Sequence, residues 1–167
     1  MTTENLEDDE LPPPPDYPAL FRQYVVRSVA ATHAAVAAQP LALADEPREQ
    51  ALHVLSFALK LAEAWPATRD FLLLLAPKME QAGHRDDWVT YLQRGLVCSQ
   101  QHNDRLAGAE LQLQIGHLYR LQSHFEQAQQ ALAASAAEFA ALGKPSGQAQ
   151  ATNEMGYMAW YQRRFTE

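Results

Sequence analysis

The sequence of 167 residues contains one cysteine, Cys98, and only seven glycines. A single cysteine excludes an internal disulfide framework and fits the reducing cytoplasm. The longest uninterrupted apolar run, residues 71–77, is much shorter than the ~20 residues that a membrane-spanning helix needs. No basic segment leads into an apolar one near the first residue, so no secretory signal is recognised. We therefore expect a cytoplasmic protein with no membrane partner.

Basic residues are too few to form a nucleic-acid surface. The net charge is −7, but six acidic residues and no basic ones lie within residues 1–16. The rest of the chain holds 14 acidic and 13 basic residues and is almost neutral. Nucleic acid is therefore not an expected partner.

Residues 1–17 have almost nothing to bury, because an acidic stretch is followed by four prolines at 12–15. This composition predicts a disordered or polyproline-like leader. Four consecutive prolines can occupy the groove of an SH3- or WW-type domain. A solubilising tail without a partner is the simpler interpretation and the one we favour.

The rest of the chain is predicted to be helical, because alanine, leucine and glutamine are abundant and no alternating β-branched run occurs. Apolar residues spaced three and four apart predict helices at residues 18–39, 47–65, 67–82, 86–101, 105–122, 125–142 and 147–163. Pro40, Pro66 and Gly143 are predicted to end helices. Short connections predict antiparallel neighbours. The first two helices, within residues 18–66, are expected to form a hairpin that caps the rest.

The stretch 105–167 contains the same sequence unit twice. We call the number of residues along the sequence from Gly116 to Gly156 the repeat offset. The other identical pairs at this offset are Ala109/Ala149, Gln122/Gln162 and Phe125/Phe165, and the apolar pairs are Ile115/Met155 and Leu118/Met158. The apolar pairs lie around the shared glycine at helical spacing. A period of this size indicates an array of repeated helical hairpins.

The first copy has the pattern Gln112-x-x-Ile115-Gly116-x-x-Tyr119, followed by Phe125-x-x-Ala128. This pattern resembles the tetratricopeptide repeat. The resemblance implies a right-handed α-α superhelix of about seven antiparallel helices, in which residues 67–167 form the repeats. A glycine on the first helix lets a neighbouring helix approach closely, and Ala128 leaves room where the two helices of a hairpin cross. Phe125 would fill the joint.

The sequence departs from the family pattern in two ways. Gln112 and Thr152 stand where the family has a large aromatic residue, and the period is about 40 residues instead of about 34. The resemblance is therefore to a long-repeat variety. Upstream, we align Trp88 with Phe125, at a separation slightly shorter than the repeat offset. Tyr91 then replaces the alanine, and Gly95 is expected to restore the space.

The second copy stops two residues after Phe165. Since half a hairpin cannot bury its apolar face, we expect the chain to be an amino-terminal fragment of a longer repeat protein, with its last repeat truncated. The last helix would then lack its normal cover and could form a homo-oligomer. The residues expected to be uncovered are Met155, Met158, Trp160, Tyr161 and Phe165.

No catalytic constellation is found in the sequence. The histidines are scattered, and neither H-E-x-x-H nor C-x-x-C occurs, so a metal site is not expected. No glycine-rich phosphate-binding motif is present either. Cys98 is expected to be a small buried hydrophobe and not a nucleophile. We predict that the protein is not an enzyme and has no cofactor.

In tetratricopeptide arrays the first helix of each hairpin lines a concave groove. The resemblance implies that this face consists here of Glu110, Leu113, His117, Arg120, Gln150, Asn153, Tyr157 and Trp160. Polar groups interleaved with aromatic rings suit peptide binding, while plain solvated helix faces are the alternative interpretation. Leu113 and His117 stand where a carboxylate clamp needs lysine and asparagine, so capture of a peptide's terminal carboxylate is not expected.

These observations together predict a kind of function but not a partner. The favoured function is a non-enzymatic protein–protein interaction scaffold that binds a peptide or helix in the concave face. The alternative is a sensor or autoinhibitory regulatory segment of a larger multidomain signalling protein.

Overall fold

The computed structural model describes residues 15–83 and 85–164. Within these ranges every regular element is helical, which confirms the predicted all-α fold of seven helices. The elements are α1 (Tyr17–Ala37), α2 (Asp45–Ala58), a 3₁₀ turn (Ala62–Ala64), α3 (Trp65–Ala82), α4 (Arg85–Gln101), α5 (Arg105–Leu121), α6 (Phe125–Ala141) and α7 (Pro145–Arg164). The predicted leader up to residue 14 and Phe165 lie outside the described residues.

Helices α2 to α7 begin at equal intervals along the chain. Their first residues are Asp45, Trp65, Arg85, Arg105, Phe125 and Pro145. The starts of alternate helices are therefore separated by one repeat offset, as the starts of α5 and α7 show. The spacing also continues upstream of residue 67, where the sequence shows no repeat signature. The division into a cap at 18–66 and repeats from 67 stays a prediction.

The joints from α3 to α7 share one backbone feature. Each contains a residue with positive φ, and these residues are Gly83 (80°), Asn103 (53°), Ser123 (62°) and Gly143 (63°). After the last three, the next N–H donates to a carbonyl five residues back, in the pairs Asp104–Ser99, His124–Tyr119 and Lys144–Phe139. This left-handed cap satisfies carbonyls that the helix leaves open. The predicted helix end at Gly143 is confirmed. Asn103 and Ser123 follow the ends of their helices with the same positive φ, although neither is a glycine.

The joints also determine which residues of successive hairpins are equivalent. Trp88 is the fourth residue of α4 and Ala128 is the fourth residue of α6, and both are fully buried. Phe125 is the first residue of α6 and only half-buried. The predicted alignment of Trp88 with Phe125 is therefore wrong, because it matched aromatic rings instead of helix positions.

The second helix is shorter than the sequence predicts. α2 ends at Ala58 and not near Trp65, and the 3₁₀ turn follows it. Trp65 and Pro66 belong to the first turn of α3, where the missing N–H of a proline breaks no helical hydrogen bond. Pro66 therefore begins a helix and does not end one.

Alternate helices pack against each other as well as against their neighbours in sequence. α3 contacts α1, α2, α4 and α5, and α5 contacts α3, α4, α6 and α7. We call the surface formed by α3, α5 and α7 the odd-helix face. None of the described helices combines the length and the apolar character that a membrane span requires.

The close approach predicted at the glycine of the first copy is present. A Cβ atom on Gly116 would lie 2.6 Å from Leu132 Cγ and 3.2 Å from the Leu132 backbone nitrogen. Ser135 Oγ donates a hydrogen bond to the carbonyl oxygen of Ala109 at 2.8 Å, which also joins α6 to α5. Ala128 and Leu132 of α6 are fully buried. The absence of a side chain at residue 116 is therefore a packing requirement.

Candidate functional site

The odd-helix face contains a groove with a volume of about 510 Å³. It lies where α3 and α5 meet the joint between α6 and α7, and we call it the Glu110 groove. Its lining is contributed by Leu73 of α3, by Leu106, Glu110, Leu113 and Gln114 of α5, and by residues around the next joint, including Lys144 and Gln150. Apolar side chains with a few polar groups among them are typical of ligand-binding surfaces.

Glu110 is half-buried in this groove and makes no hydrogen bond or salt bridge with a described residue. Burial is the largest cause that raises the pKa of its carboxyl group. The carboxylates of Asp104 and Asp70 raise this pKa further. The cations of Arg69 and Lys144 oppose the rise but do not cancel it. The groove therefore holds a carboxylate whose charge is poorly compensated.

A cluster of charged side chains joins the three helices of the odd-helix face. His117 of α5 lies between two carboxylates, with Nε2 3.2 Å from Glu80 Oε2 on α3 and Nδ1 3.1 Å from Glu154 Oε2 on α7. Arg120 Nε donates to the same oxygen of Glu154 at 2.6 Å. The cluster therefore links α5 to both α3 and α7.

The start of α5 is tied to α3 through a single carboxylate. Asp104 Oδ1 accepts from the backbone N–H of Ala107 at 3.1 Å and caps α5. Its Oδ2 accepts from Trp65 Nε1 at 3.1 Å and from an Arg69 guanidinium nitrogen at 3.2 Å. Burial alone would raise the pKa of Asp104, but these donors together lower it. This carboxylate therefore accepts three hydrogen bonds, whereas Glu110 accepts none from a described residue.

The structure divides the eight predicted site residues into four groups. Glu110, Leu113 and Gln150 line the Glu110 groove, whereas His117 and Arg120 are held in the charged cluster. Asn153 lies in a separate shallow depression beside Gly156. Tyr157 and Trp160 are 51% and 49% exposed on α7. The predicted set is thus not one continuous surface, and His117 and Arg120 are already held by carboxylates within the chain.

Two of the methionines expected to be uncovered have cover. Met158 is only 2% exposed and Met155 is half-buried. Both pack in a cluster with Leu132 and Phe139 of α6. The prediction of an uncovered Met158 is wrong, because α6 already covers that side of α7. Trp160 and Tyr161 are exposed as expected, with their rings edge to face at 5.3 Å.

Several residues of the odd-helix face were not predicted, although an alignment of the sequence with itself at the repeat offset identifies some of them. Leu73 precedes Leu113 by one repeat offset, and Glu154 follows Gln114 by the same separation. Each occupies the same helical position as its counterpart. Lys144 has no such signal, because it reaches the groove from a joint.

The described residues contain no group of three or more histidine, cysteine, aspartate or glutamate side chains arranged to hold a metal ion. The Cys98 thiol donates to the carbonyl oxygen of Leu59 at 3.4 Å. Burial raises the pKa of this thiol, which lowers the fraction of reactive thiolate.

No protein-family model, no curated protein and no solved structure matches this chain. The tetratricopeptide resemblance and the cytoplasmic location therefore stay predictions.

Proposed function

We propose that this protein is a non-enzymatic protein–protein interaction module that binds a peptide or a helix on the odd-helix face. The observation that carries the proposal is the Glu110 groove, where Leu73, Leu106 and Leu113 surround a half-buried carboxylate. Leucine side chains at a surface groove offer apolar area to a partner. A polar group among them fixes the orientation of that partner.

We also propose that the fold is of the tetratricopeptide type with hairpins one repeat offset long. The equal spacing of the helix starts from α2 to α7 supports it, as does the close packing of Gly116 against Leu132. An experimental structure in which α5 and α6 fail to superpose on a tetratricopeptide hairpin would remove this support. A regulatory role within a larger signalling protein stays a second prediction, which no particular contact among the described residues favours.

The groove proposal is tested with peptides selected from a random twelve-residue display library on the full chain. Leu106 is 38% exposed, so Leu106→Ala should leave the fold intact and weaken binding about three- to tenfold through lost apolar contact. Val97 of α4 is 52% exposed outside the groove, and Val97→Ala is the matched control. Fluorescence anisotropy measures both. Equal affinity of the two variants, or a library that yields no binder, would overturn the proposal.

Self-association through α7 stays a separate prediction. Light scattering over a concentration series should show a dimer for the wild type and less of it for the double variant Trp160→Ala, Tyr161→Ala. A strict monomer at the highest concentration would contradict it.

A further inference from the structure

Five carboxylates in the described residues are half-buried, and they are Glu80, Asp104, Glu110, Glu138 and Glu154. Four of them have a basic partner within the chain. Glu80 and Glu154 face His117, Asp104 faces Arg69, and Glu138 faces Arg105. Glu110 has none among the residues that the structure describes. A carboxylate taken partly out of water gains from a cationic partner, so the exception is informative.

The cations nearest to Glu110 do not take this role. Arg69 is engaged by Asp70 at 2.8 Å and by Asp104 at 3.2 Å. Lys144 influences the pKa of Glu110 from the joint between α6 and α7 but forms no salt bridge with it. Among the described residues, none therefore forms a salt bridge with Glu110.

The surroundings of Glu110 strengthen its attraction for a cation. Leu106 lies one turn before it on α5 and Leu113 one turn after it, and all three line the groove with Leu73. Apolar walls reduce screening by water, so a charge pair formed there is stronger than one on an open surface. Asp70 and Asp104 add negative charge nearby. The cations of Arg69 and Lys144 oppose this attraction in part.

We propose that the Glu110 groove binds a peptide segment that places one lysine or arginine side chain against Glu110 and neighbouring apolar side chains against Leu73, Leu106 and Leu113. This inference rests on the proposed function and names the chemistry of its partner. The guanidinium or ammonium group donates charge-assisted hydrogen bonds to the carboxylate, and the leucines bury the adjacent apolar residues.

The test repeats the library selection on the full-length wild type, on Glu110→Gln and on Glu110→Lys. The matched control is Glu49→Gln, since Glu49 is exposed on α2 outside the groove. Wild type and control should enrich one lysine or arginine next to apolar residues. Glu110→Gln should lose this preference, and Glu110→Lys should select aspartate or glutamate at the same position. Because burial disfavours the charged form of Glu110, the glutamine variant should fold at least as stably as the wild type.

A double-mutant cycle gives the second measurement. Replacing the selected lysine by norleucine, and Glu110 by glutamine, should each weaken binding about tenfold, as expected for a hydrogen bond to a charged group. The two changes together should weaken it little more than either alone. Additive losses would overturn the inference. Peptides that bind the groove without any basic preference would overturn it too while leaving the proposed function standing, and a library without binders would overturn both.

Discussion

Helices α5 and α7 carry the two copies of the same sequence unit, and their surroundings differ. α5 is enclosed by α3, α4, α6 and α7, whereas α7 contacts α5 and α6. A Cβ atom on Gly116 of α5 would meet Leu132 at 2.6 Å, but a Cβ atom on Gly156 of α7 would meet nothing within 4 Å. The same glycine is therefore required in one copy and unconstrained in the other.

The contrast extends to the polar positions of the two helices. His117 and Arg120 of α5 are partly covered and hold Glu154. Their counterparts one repeat offset later, Tyr157 and Trp160, are about half exposed. A repeat pattern therefore predicts that two positions are equivalent in the helix, but the neighbours decide whether a residue packs, pairs or stays open to solvent.

The largest expected effect follows from removing the side chain that covers Gly116. Leu132 is fully buried, so Leu132→Ala should lower the free energy of unfolding by about 2–5 kcal/mol through lost burial and a cavity. Urea denaturation followed by circular dichroism measures this loss. Val97→Ala, on the exposed side of α4, should change it by less than about 0.5 kcal/mol. A small effect at Leu132 would contradict the tight packing of α5 on α6.

The second-largest effect is expected at the start of α5, where Asp104 caps the helix and also accepts hydrogen bonds from Trp65 and Arg69. Asp104→Ala should lower the free energy of unfolding by about 2 kcal/mol at neutral pH. Asp104→Asn keeps an oxygen for the cap and should cost less.

The loss at Asp104 should depend on pH in a defined direction. The pKa of Asp104 is lowered in the folded chain, so its contribution is complete above the ordinary carboxyl pKa and disappears as the pH falls through the folded value. The difference between wild type and Asp104→Ala should therefore shrink in acid. Urea titrations at several pH values check this, and a difference that grows in acid would contradict it.

The two glycines give the most direct test of the comparison. Gly116→Ala should destabilise the protein by about 1–2 kcal/mol, because overpacking against Leu132 exceeds the gain in helix propensity. Gly156→Ala has open space around it and should stabilise the protein by about 0.5–1 kcal/mol. Thermal and urea unfolding of both variants measure the signs. Changes of the same sign would show that the copies do not differ in packing.

The smallest expected effect concerns Glu110, which has no counterpart carboxylate in α7 because Gln150 stands at the matching position. The pKa of Glu110 is raised on folding, mainly by burial. Its contribution to stability is therefore present below the unfolded pKa and lost as the pH rises through the folded pKa. Glu110→Gln should be slightly more stable than the wild type at neutral pH and equal to it in acid. A variant that is less stable at neutral pH would contradict this.

Much of the fold could be predicted from local spacing. The apolar residues at intervals of three and four place the helices, and Gly143 ends α6 as expected. The boundary at Pro66 was mistaken because a proline is tolerated in a first helical turn as well as after a last one. Trp88 was misaligned because its ring resembles that of Phe125, while the joints place it at the position of Ala128.

Less of the site could be predicted, because its geometry depends on contacts between helices far apart in sequence. The groove at Glu110 and Leu113 follows from continuing one helix face. The salt bridges of His117 to Glu80 and Glu154 do not follow from one helix face. Those two carboxylates lie on α3 and α7, almost one repeat offset before His117 and after it. Salt bridges of this kind depend on the lateral distance between helices, which no local pattern contains.

The uniform joints at Asn103, Ser123 and Gly143 have a consequence for the length of the molecule. Since each joint closes with the same hydrogen bond and the helices start at equal intervals, a hairpin one repeat offset long is an interchangeable cassette. Such cassettes can be duplicated or removed whole while the junctions on either side keep their geometry. Genetic change by whole cassettes would adjust the length of the helical array without redesigning any single interface.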